Sequence, residues 1–401
     1  MIENSCLLCY NLLKKGQEAR SGTVANLRSS FQALEIKEQF LDEKKQQTAK
    51  KVQYVSEYIT QWAHISTARK EVTHITFIDC MCNAGVYKDG DLCTSMCVLQ
   101  TFIELARRFP QKKYRLMLND NDKGRVEIIK KVITSIRTKK FDNLEIFIMN
   151  MDVNDYLEYL SKNHMYDGSS IFGYGYATVV YVDPYNFGTV QIPKVTKLLS
   201  QNYCELIFNF FISDFRRNIA KDSGRLQSCL GGTCITSEDE LMEYMRSSLT
   251  VGSIKYLFAY TFRTKKNVDL YQIVFATPSI RGLEVLKDVL WKVFDGKEYH
   301  RNFEEDENQI GFFTTNDETN WRKENYAREA QLFVTQYAPK QTEISFKEIE
   351  SNVIQRTMLK ESDVLSCVVK PLLQQGAMRK CGRVRKSNYK DDCYIISTEI
   401  D

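Results

Sequence analysis

The chain has 401 residues, 43% of them hydrophobic, which is enough to build the cores of about two or three domains of roughly 150 residues each. Its 55 lysines and arginines exceed its 51 aspartates and glutamates by only four, so composition does not identify a nucleic-acid-binding protein and any basic surface must be local. The sequence has neither a secretion signal nor an apolar run of membrane-spanning length, which predicts a cytoplasmic protein without a membrane contact.

The twelve cysteines are expected to be reduced thiols, because cytoplasmic chains rarely keep disulfides. One pair, Cys6 and Cys9, has the two-residue spacing that lets two thiolates bind one zinc ion. A second pair with this spacing does not occur, and the four histidines are scattered along the sequence. We therefore expect no metal site.

Residues 1–65 predict a helical extension, because the stretch has no proline and its apolar residues recur at three- and four-residue spacing. Tyr54, Tyr58 and Trp62 lie beside one face of this pattern. Such aromatic residues either pack a helix onto a sheet or stack on bases, and packing is favoured here. Residues 41–51, rich in lysine and glutamine, indicate a solvated helix or a linker.

Residues 66–298 alternate between short apolar runs and longer amphipathic ones, which is typical of a parallel sheet with connecting helices. Seven strands are predicted, at residues 74–80, 114–119, 144–149, 178–182, 205–211, 254–262 and 271–277. Helices are predicted at residues 95–109, 123–138, 154–163, 193–199, 237–248 and 282–294. This order resembles the Rossmann-like α/β sheet of class I methyltransferases, which is mostly parallel and ends in an antiparallel hairpin.

Residues 299–326 are polar with few apolar anchors and predict a linker. Residues 327–401 predict three helices, a short strand and a basic two-stranded hairpin, which is the order of a winged helix-turn-helix domain. The hairpin carries a basic cluster with no acidic residue inside it, a pattern that can follow a phosphate backbone or serve as a protein contact, and nucleic acid is favoured. The cluster consists of Arg379, Lys380, Arg383, Arg385, Lys386 and Lys390.

The first two strands end in polar residues suited to a nucleotide-like cofactor. After the first, Asp79 either orients the following loop and accepts a hydrogen bond from the cofactor or merely caps a turn, while Gly85 lets the backbone approach. After the second, Asp120 is placed to accept both hydroxyls of a ribose, or to cap the next helix. Further candidate cofactor-binding residues in these loops and after the third strand are Cys82, Asn83 and Asp152.

The fourth strand ends in Asp183-Pro184-Tyr185-Asn186, an acceptor, a rigid proline and an aromatic ring. In methyltransferases that act on the amines of bases, an Asp/Asn-Pro-Pro-aromatic loop holds the target amine and stacks on the base. The four residues are therefore candidate catalytic residues, although a simple strand-ending turn is the alternative. Beyond the fifth strand, Asn209, Asp214, Arg216 and Arg217 line the substrate mouth or form caps and surface ion pairs.

Together these motifs resemble the three-Cys-motif partner protein (TcmP) family, which is methyltransferase-like with a C-terminal winged helix. The resemblance covers about residues 50–294 and rests on the order of short motifs, namely the Lys51 to Trp62 helix, Phe77-Ile-Asp79 with Ala84-Gly85, Asp183-Pro-Tyr, Phe208-Asn-Phe210 and Phe275-Ala-Thr-Pro278. It implies S-adenosylmethionine as cofactor and a separate three-Cys-motif protein as partner. The family's first loop has Phe, Ala and Gly where this chain has Met81, Cys82 and Asn83.

The resulting hypothesis is a SAM-dependent methyltransferase that acts on an amine of a nucleic acid or a modified peptide. The alternative is a fold that has lost its cofactor and serves as a nucleic-acid-binding or partner-docking component. A hydrolase that uses Asp79, Asp120 and Asp183 to bind magnesium is the third possibility.

Overall fold

The computed structural model describes residue 36 and residues 38–136, 141–165, 167–219, 224–263, 269–297, 299–300, 315–337, 343–381, 389 and 392–396. The Cys6 and Cys9 pair, most of the N-terminal extension, and Arg383, Arg385, Lys386 and Lys390 of the basic cluster lie outside these residues.

All seven predicted strands form one sheet. They are β1 (His74–Asp79), β2 (Lys113–Asn119), β3 (Leu144–Met149), β4 (Tyr176–Val182), β5 (Glu205–Phe210), β6 (Tyr256–Arg263) and β7 (Asp269–Thr277), and a two-residue strand, β8 (Tyr299–His300), adds an eighth. The spatial order is β3-β2-β1-β4-β5-β7-β6-β8, with β1 to β5 parallel and β7 antiparallel to both of its neighbours. The predicted mostly parallel α/β sheet that ends in an antiparallel hairpin is therefore confirmed, and β8 lies in the segment predicted as a linker.

Helices cover both faces of the sheet. One face carries α1 (Gln46–Ala68), α2 (Thr94–Arg108), α3 (Lys123–Ile136) and α9 (Ile280–Phe294). The other carries α4 (Val153–Ser161), α5 (Ile192–Gln201), α6 (Ile212–Asn218), α7 (Gly224–Cys229) and α8 (Glu238–Leu249), of which the short α6 and α7 were not predicted. Tyr54, Tyr58 and Trp62 are buried on the first face, so packing rather than base stacking is their role.

The C-terminal unit contains α10 (Thr315–Tyr337), β9 (Glu343–Ser345), α11 (Phe346–Arg356), α12 (Glu361–Val364), a π turn (Leu365–Val369), α13 (Lys370–Gln374), β10 (Met378–Cys381) and β11 (Cys393–Ile396). Its three strands form a sheet in the order β10-β11-β9. The Lys287 ammonium on α9 donates to the Thr357 carbonyl at 2.6 Å, and the Trp291 indole donates to the Met358 carbonyl at 2.6 Å. The unit thus packs directly on α9.

The linker predicted at residues 299–326 is wrong over its second half, because α10 already begins at Thr315. Polar contacts help to hold the first turns of α10: Arg322 pairs with Asp295, and the Tyr326 hydroxyl donates to the Gly296 carbonyl at 2.9 Å, while the Tyr326 ring packs against the core. The hydrophobic pattern of the sequence therefore did not reveal the part of α10 that lies in the predicted linker. No described helix combines the length and apolarity needed to cross a bilayer.

Candidate functional site

Three carboxylates meet at one edge of the sheet. Asp79 ends β1, and Asp120 and Asp183 follow β2 and β4, the two strands that pair with β1 on either side. Asp79 is 2% exposed, and it accepts hydrogen bonds from the Ser95 hydroxyl and, at 3.1 Å, from the Met81 amide. Burial, with smaller contributions from the charges of Asp183 and Asp120, raises the pKa of Asp79 to about 7, against the lowering effect of the Ser95 and Met81 hydrogen bonds. The predicted convergence of these strand ends is present.

The loop after β1 makes the turn that a cofactor-binding loop requires. Asn83 and Gly85 have φ angles of 59° and 85°, in the left-handed region that favours glycine and tolerates asparagine. A Cβ atom at Gly85 would lie 3.1 Å from Ile129 Cγ1. The Cys82 thiol is buried in the core and donates to the Asn83 carbonyl at 3.5 Å, while its backbone amide donates to the Asn119 carbonyl at 2.8 Å.

Asp120 is 3% exposed and is positioned by two backbone amides, those of Asp122 at 2.9 Å and Asn83 at 3.0 Å. Burial raises its pKa above the usual value for an aspartate. A carboxylate has about four acceptor positions, so these two amides occupy about half of the acceptor positions of Asp120. Asp122 caps α3, with its oxygen 2.7 Å from the Gly124 amide, so the helix-capping role expected as the alternative for Asp120 belongs to Asp122.

Asp152 is exposed and accepts from the Asn154 amide at 2.8 Å, which is the helix-cap geometry expected as its alternative role. Asn150, which precedes it after β3, donates to the Asp120 carbonyl at 2.8 Å. This hydrogen bond connects the segment after β3 to the loop after β2.

Asp183 is enclosed by three donors, two of which the sequence did not indicate. The Lys51 ammonium contacts its two oxygens at 2.6 and 2.7 Å, and the Tyr181 hydroxyl donates at 2.9 Å. The Asn209 amide nitrogen donates at 2.7 Å. These four contacts take up about all of the acceptor positions of a carboxylate. Lys51 lies on α1, far from Asp183 in sequence, so no local pattern could pair them.

Asn209 offers an acceptor at the same edge. The side chain is 0% exposed, and because its nitrogen must face the Asp183 carboxylate, the orientation of the amide is determined. Its carbonyl oxygen has no hydrogen-bond partner among the described residues. A buried acceptor without a donor is costly, so this oxygen suits an N–H group from a bound molecule.

Tyr185 is half exposed beside the buried Pro184. The Arg125 guanidinium lies 5.1 Å from the centre of the Tyr185 ring, and the Tyr185 hydroxyl donates to Asp42 at 3.2 Å. Asn186 accepts from the Thr189 hydroxyl at 2.8 Å, as part of the turn that leaves the strand.

The segment predicted as a solvated helix or a linker, residues 41–51, is helical only from Gln46, and residues 41–45 lie across the loop after β1. The Asp42 carboxylate accepts from the side-chain nitrogen of Asn83 at 2.6 Å and from the Arg125 guanidinium at 3.1 Å. The Phe40 ring lies so close to Gly124 that a Cβ atom there would clash with it. Tertiary contacts of this kind leave no periodic pattern in the sequence.

The remaining candidates beyond β5 are mostly structural. Asp214 accepts from the Phe187 amide at 2.9 Å and pairs with Arg217 at 3.2 Å, while Arg216 pairs with Glu238 at 2.6 Å. The expected surface ion pairs are therefore found here, whereas no side chain caps α6 and Asp214 binds a loop amide instead.

A magnesium site on Asp79, Asp120 and Asp183 is disfavoured by charge, because the Lys51 ammonium already lies where a cation would approach Asp183. Among the described residues, a group of three or more metal-ligating side chains with all ligand atoms within 4.8 Å of one another occurs only at Glu284, Glu350 and Glu361, at the contact between α9 and the C-terminal unit.

Comparisons with known proteins find only distant structural likeness. No family model and no curated protein matches the chain. Solved structures similar to it include a Legionella pneumophila protein (9% identity, TM-score 0.34, 60% of this chain and 92% of that one). Another is a SAM-dependent methyltransferase from Agrobacterium tumefaciens (9% identity, TM-score 0.29, 56% and 62%). A type I restriction-modification methyltransferase subunit from Streptococcus thermophilus is also similar (10% identity, TM-score 0.30, 56% and 43%). These scores are low, so the fold assignment rests on the strand order of this chain.

Proposed function

We propose that the chain is a SAM-dependent methyltransferase that transfers a methyl group to an amine of a nucleic acid or of a modified peptide. The observation that carries the proposal is the meeting, at one sheet edge, of a left-handed loop, the Asp120 carboxylate and the hydrogen-bonded Asp183–Asn209 pair. Ligands bind at this edge in open α/β sheets.

The cofactor would be held by residues of the first three strand ends. Asp120 has an acceptor position left on each oxygen for the two ribose hydroxyls, and the turn at Asn83 and Gly85 brings the backbone close. Asp152 lies after β3, where an adenine amino group would be reached. Asp79 maintains the loop through the Met81 amide and the first turns of α2 through Ser95. When bound, S-adenosylmethionine supplies an electrophilic methyl group on its sulfonium sulfur.

The acceptor amine would bind beside Tyr185. Because Asp183 is already saturated, the carbonyl of Asn209 is the better acceptor for the amine N–H, and Asp183 acts by orienting that amide. The exposed face of Tyr185 can stack on a planar base. Rate enhancement would come chiefly from holding the amine in line with the methyl group.

Calorimetry with S-adenosylmethionine tests the first step. We expect binding by the full chain, and loss of at least tenfold in affinity for Asp120→Ala, because the ribose loses its acceptor. Asp167→Ala is the matched control, since this exposed carboxylate binds only Ser169 in its own turn. Equal affinities of the two variants would contradict the assigned role of Asp120.

The second candidate function is a binding protein without catalysis. It is favoured by the Lys51–Asp183 ion pair, which occupies the Asp183 carboxylate, and by Met81 at a position where the resembling family has a different residue. The same calorimetry distinguishes the two: an absence of heat with S-adenosylmethionine for the folded wild-type chain would support this candidate and reject the enzyme.

We further propose that the C-terminal unit is a winged helix that binds nucleic acid. The proposal is supported by its helix and strand order and by its three-stranded sheet, together with the basic cluster of the hairpin. Lys380 already pairs with Asp392 at 2.6 Å, so Arg383 and Arg385 are the better charges to remove. Replacing both with glutamine should weaken binding of duplex DNA or RNA and flatten its salt dependence, as measured by fluorescence anisotropy. An unchanged salt slope would favour a protein contact.

A separate three-Cys-motif protein remains the proposed partner by family resemblance. Copurification of the two chains from one expression host would test it, and elution of both as separate species would reject it.

A further inference from the structure

Two cysteines face each other across the C-terminal hairpin. Cys381 ends β10, Cys393 begins β11, and the register of the antiparallel pair sets them directly opposite one another. Both are free thiols and both are partly exposed. The sequence places residues 382–392, with Arg383, Arg385, Lys386 and Lys390, between them.

The two thiols share the outer face of the small sheet. Side chains alternate along a strand, so Cys381 lies on the same side as Arg379, and Cys393 on the same side as Ile395. The opposite face carries the buried Met378, Tyr394 and Ile396. Bridging the cysteines therefore requires no change in the core of the unit.

The spacing suits a disulfide. Directly opposed residues of antiparallel strands have Cα atoms about 4.5 or 5.5 Å apart, and disulfides span about 4.4–6.8 Å between Cα atoms. The pKa of Cys381 is raised, first by burial and then by Glu343 and Cys393, while Arg379 opposes this shift. Arg379 offsets this shift only in part, so the thiolate of Cys381 is less populated than that of an ordinary cysteine.

We infer that Cys381 and Cys393 are a redox modification site that forms a disulfide across the β10–β11 pair, with a low-molecular-weight disulfide as the oxidant. One thiolate attacks glutathione disulfide, which forms a mixed disulfide and releases one glutathione thiolate. The second thiolate attacks the protein sulfur of that mixed disulfide, which forms the Cys381–Cys393 bond and releases a second glutathione thiolate. The chain loses two electrons, glutathione disulfide gains them, and the two thiol protons pass to the released glutathiones.

Intact-mass spectrometry and peptide mapping of the full chain, treated with glutathione disulfide, test the inference. The wild-type chain should lose two hydrogens, gain no lasting glutathione at these positions, and yield a peptide pair linked through Cys381 and Cys393. In Cys381→Ser and in Cys393→Ser the remaining thiol has no resolving partner. Each variant should therefore retain one glutathione at the surviving cysteine.

Cys367→Ser is the matched control, because this partly exposed thiol lies elsewhere in the unit. It should form the Cys381–Cys393 link as the wild type does. Lasting glutathione on Cys381 or Cys393 of the wild-type chain, or a link from either residue to a different cysteine, would overturn the inference. Because the readout is covalent, it does not depend on cofactor or nucleic-acid binding.

Discussion

At the scale of single residues, the loop after β1 depends on backbone conformation more than on side-chain identity. Asn83 stands where the resembling family has glycine. Its φ of 59° is left-handed, and in this conformation the Asn83 backbone amide donates to the Asp120 carboxylate at 3.0 Å. Asparagine pays a smaller steric cost in this region than most residues. The substitution therefore preserves the turn.

Comparing Asn83→Gly with Asn83→Ala isolates this backbone effect, because both variants lose the side-chain contact with Asp42. We expect Asn83→Ala to be less stable than Asn83→Gly by about 1 kcal/mol, since alanine is strained at positive φ. Urea unfolding measures the difference. Equal stabilities would mean that the turn relaxes away from the left-handed region.

Glu205 is a second residue-scale case, away from the candidate site. Its carboxylate is 8% exposed and accepts from the Tyr58 and Thr277 hydroxyls at 2.5 and 2.9 Å. Burial raises its pKa from 4.5 to about 7, against the opposing effect of these two hydrogen bonds. The folded state therefore holds this proton more tightly than the unfolded chain.

The contribution of Glu205 to stability is largest below pH 4.5 and declines as the pH rises toward about 7. Glu205→Gln cannot ionise, so its free energy of unfolding should fall less steeply over this range than that of the wild type. The pKa of Asp79 is also raised to about 7, so Asp79 makes the free energy of unfolding of both proteins depend on pH over the same range. Urea midpoints measured across the range check this, and parallel curves would contradict it.

At the scale of secondary-structure elements, the Lys51–Asp183 ion pair connects α1 to the end of β4. The side chains are 12% and 20% exposed, so the pair is largely shielded from solvent. Removing one partner leaves the other charge poorly solvated, whereas removing both is less harmful.

We expect Lys51→Met to cost about 2 kcal/mol, at the low end for a buried pair because some exposure remains. Adding Asp183→Asn to Lys51→Met should recover about 1 kcal/mol, since the unpaired carboxylate is removed. A double-mutant cycle in urea measures the coupling between the two side chains. Additive effects of the two substitutions would show that the ion pair contributes nothing.

At the scale of the whole molecule, the C-terminal unit shares one continuous buried cluster with the sheet. Val353 of α11 and Phe77 of β1 belong to that cluster. The hydrogen bonds of Lys287 and Trp291 connect α9 to the C-terminal unit as well. A unit with so much shared core is expected to unfold together with the sheet.

Val353→Ala tests this coupling, because Val353 is 0% exposed and its truncation should cost about 2 kcal/mol. The probe is alkylation of Cys204, a thiol buried in the cluster on the opposite face of the sheet. We expect the variant to expose Cys204 at a lower urea concentration than the wild type. If the C-terminal unit unfolded independently, alkylation of Cys204 would be unchanged.

The sequence by itself determined the elements of the sheet and their type. Runs such as Thr178 to Val182 are apolar on both faces, and only a strand buried between two helical layers accommodates that pattern. Because parallel strands end at one edge, the meeting of Asp79, Asp120 and Asp183 followed from the same pattern. The left-handed turn at Asn83 was likewise predictable from residue type.

Only the tertiary structure decided what each carboxylate contacts. Lys51, Asp42 and Arg125 reach the site from segments distant in sequence, and no local periodicity records such pairings. The early start of α10 was equally hidden, since ion pairs and hydrogen bonds help to hold its first turns. Hydrophobic patterning specifies which face is buried, whereas polar pairing depends on which side chains the finished fold brings within hydrogen-bond distance.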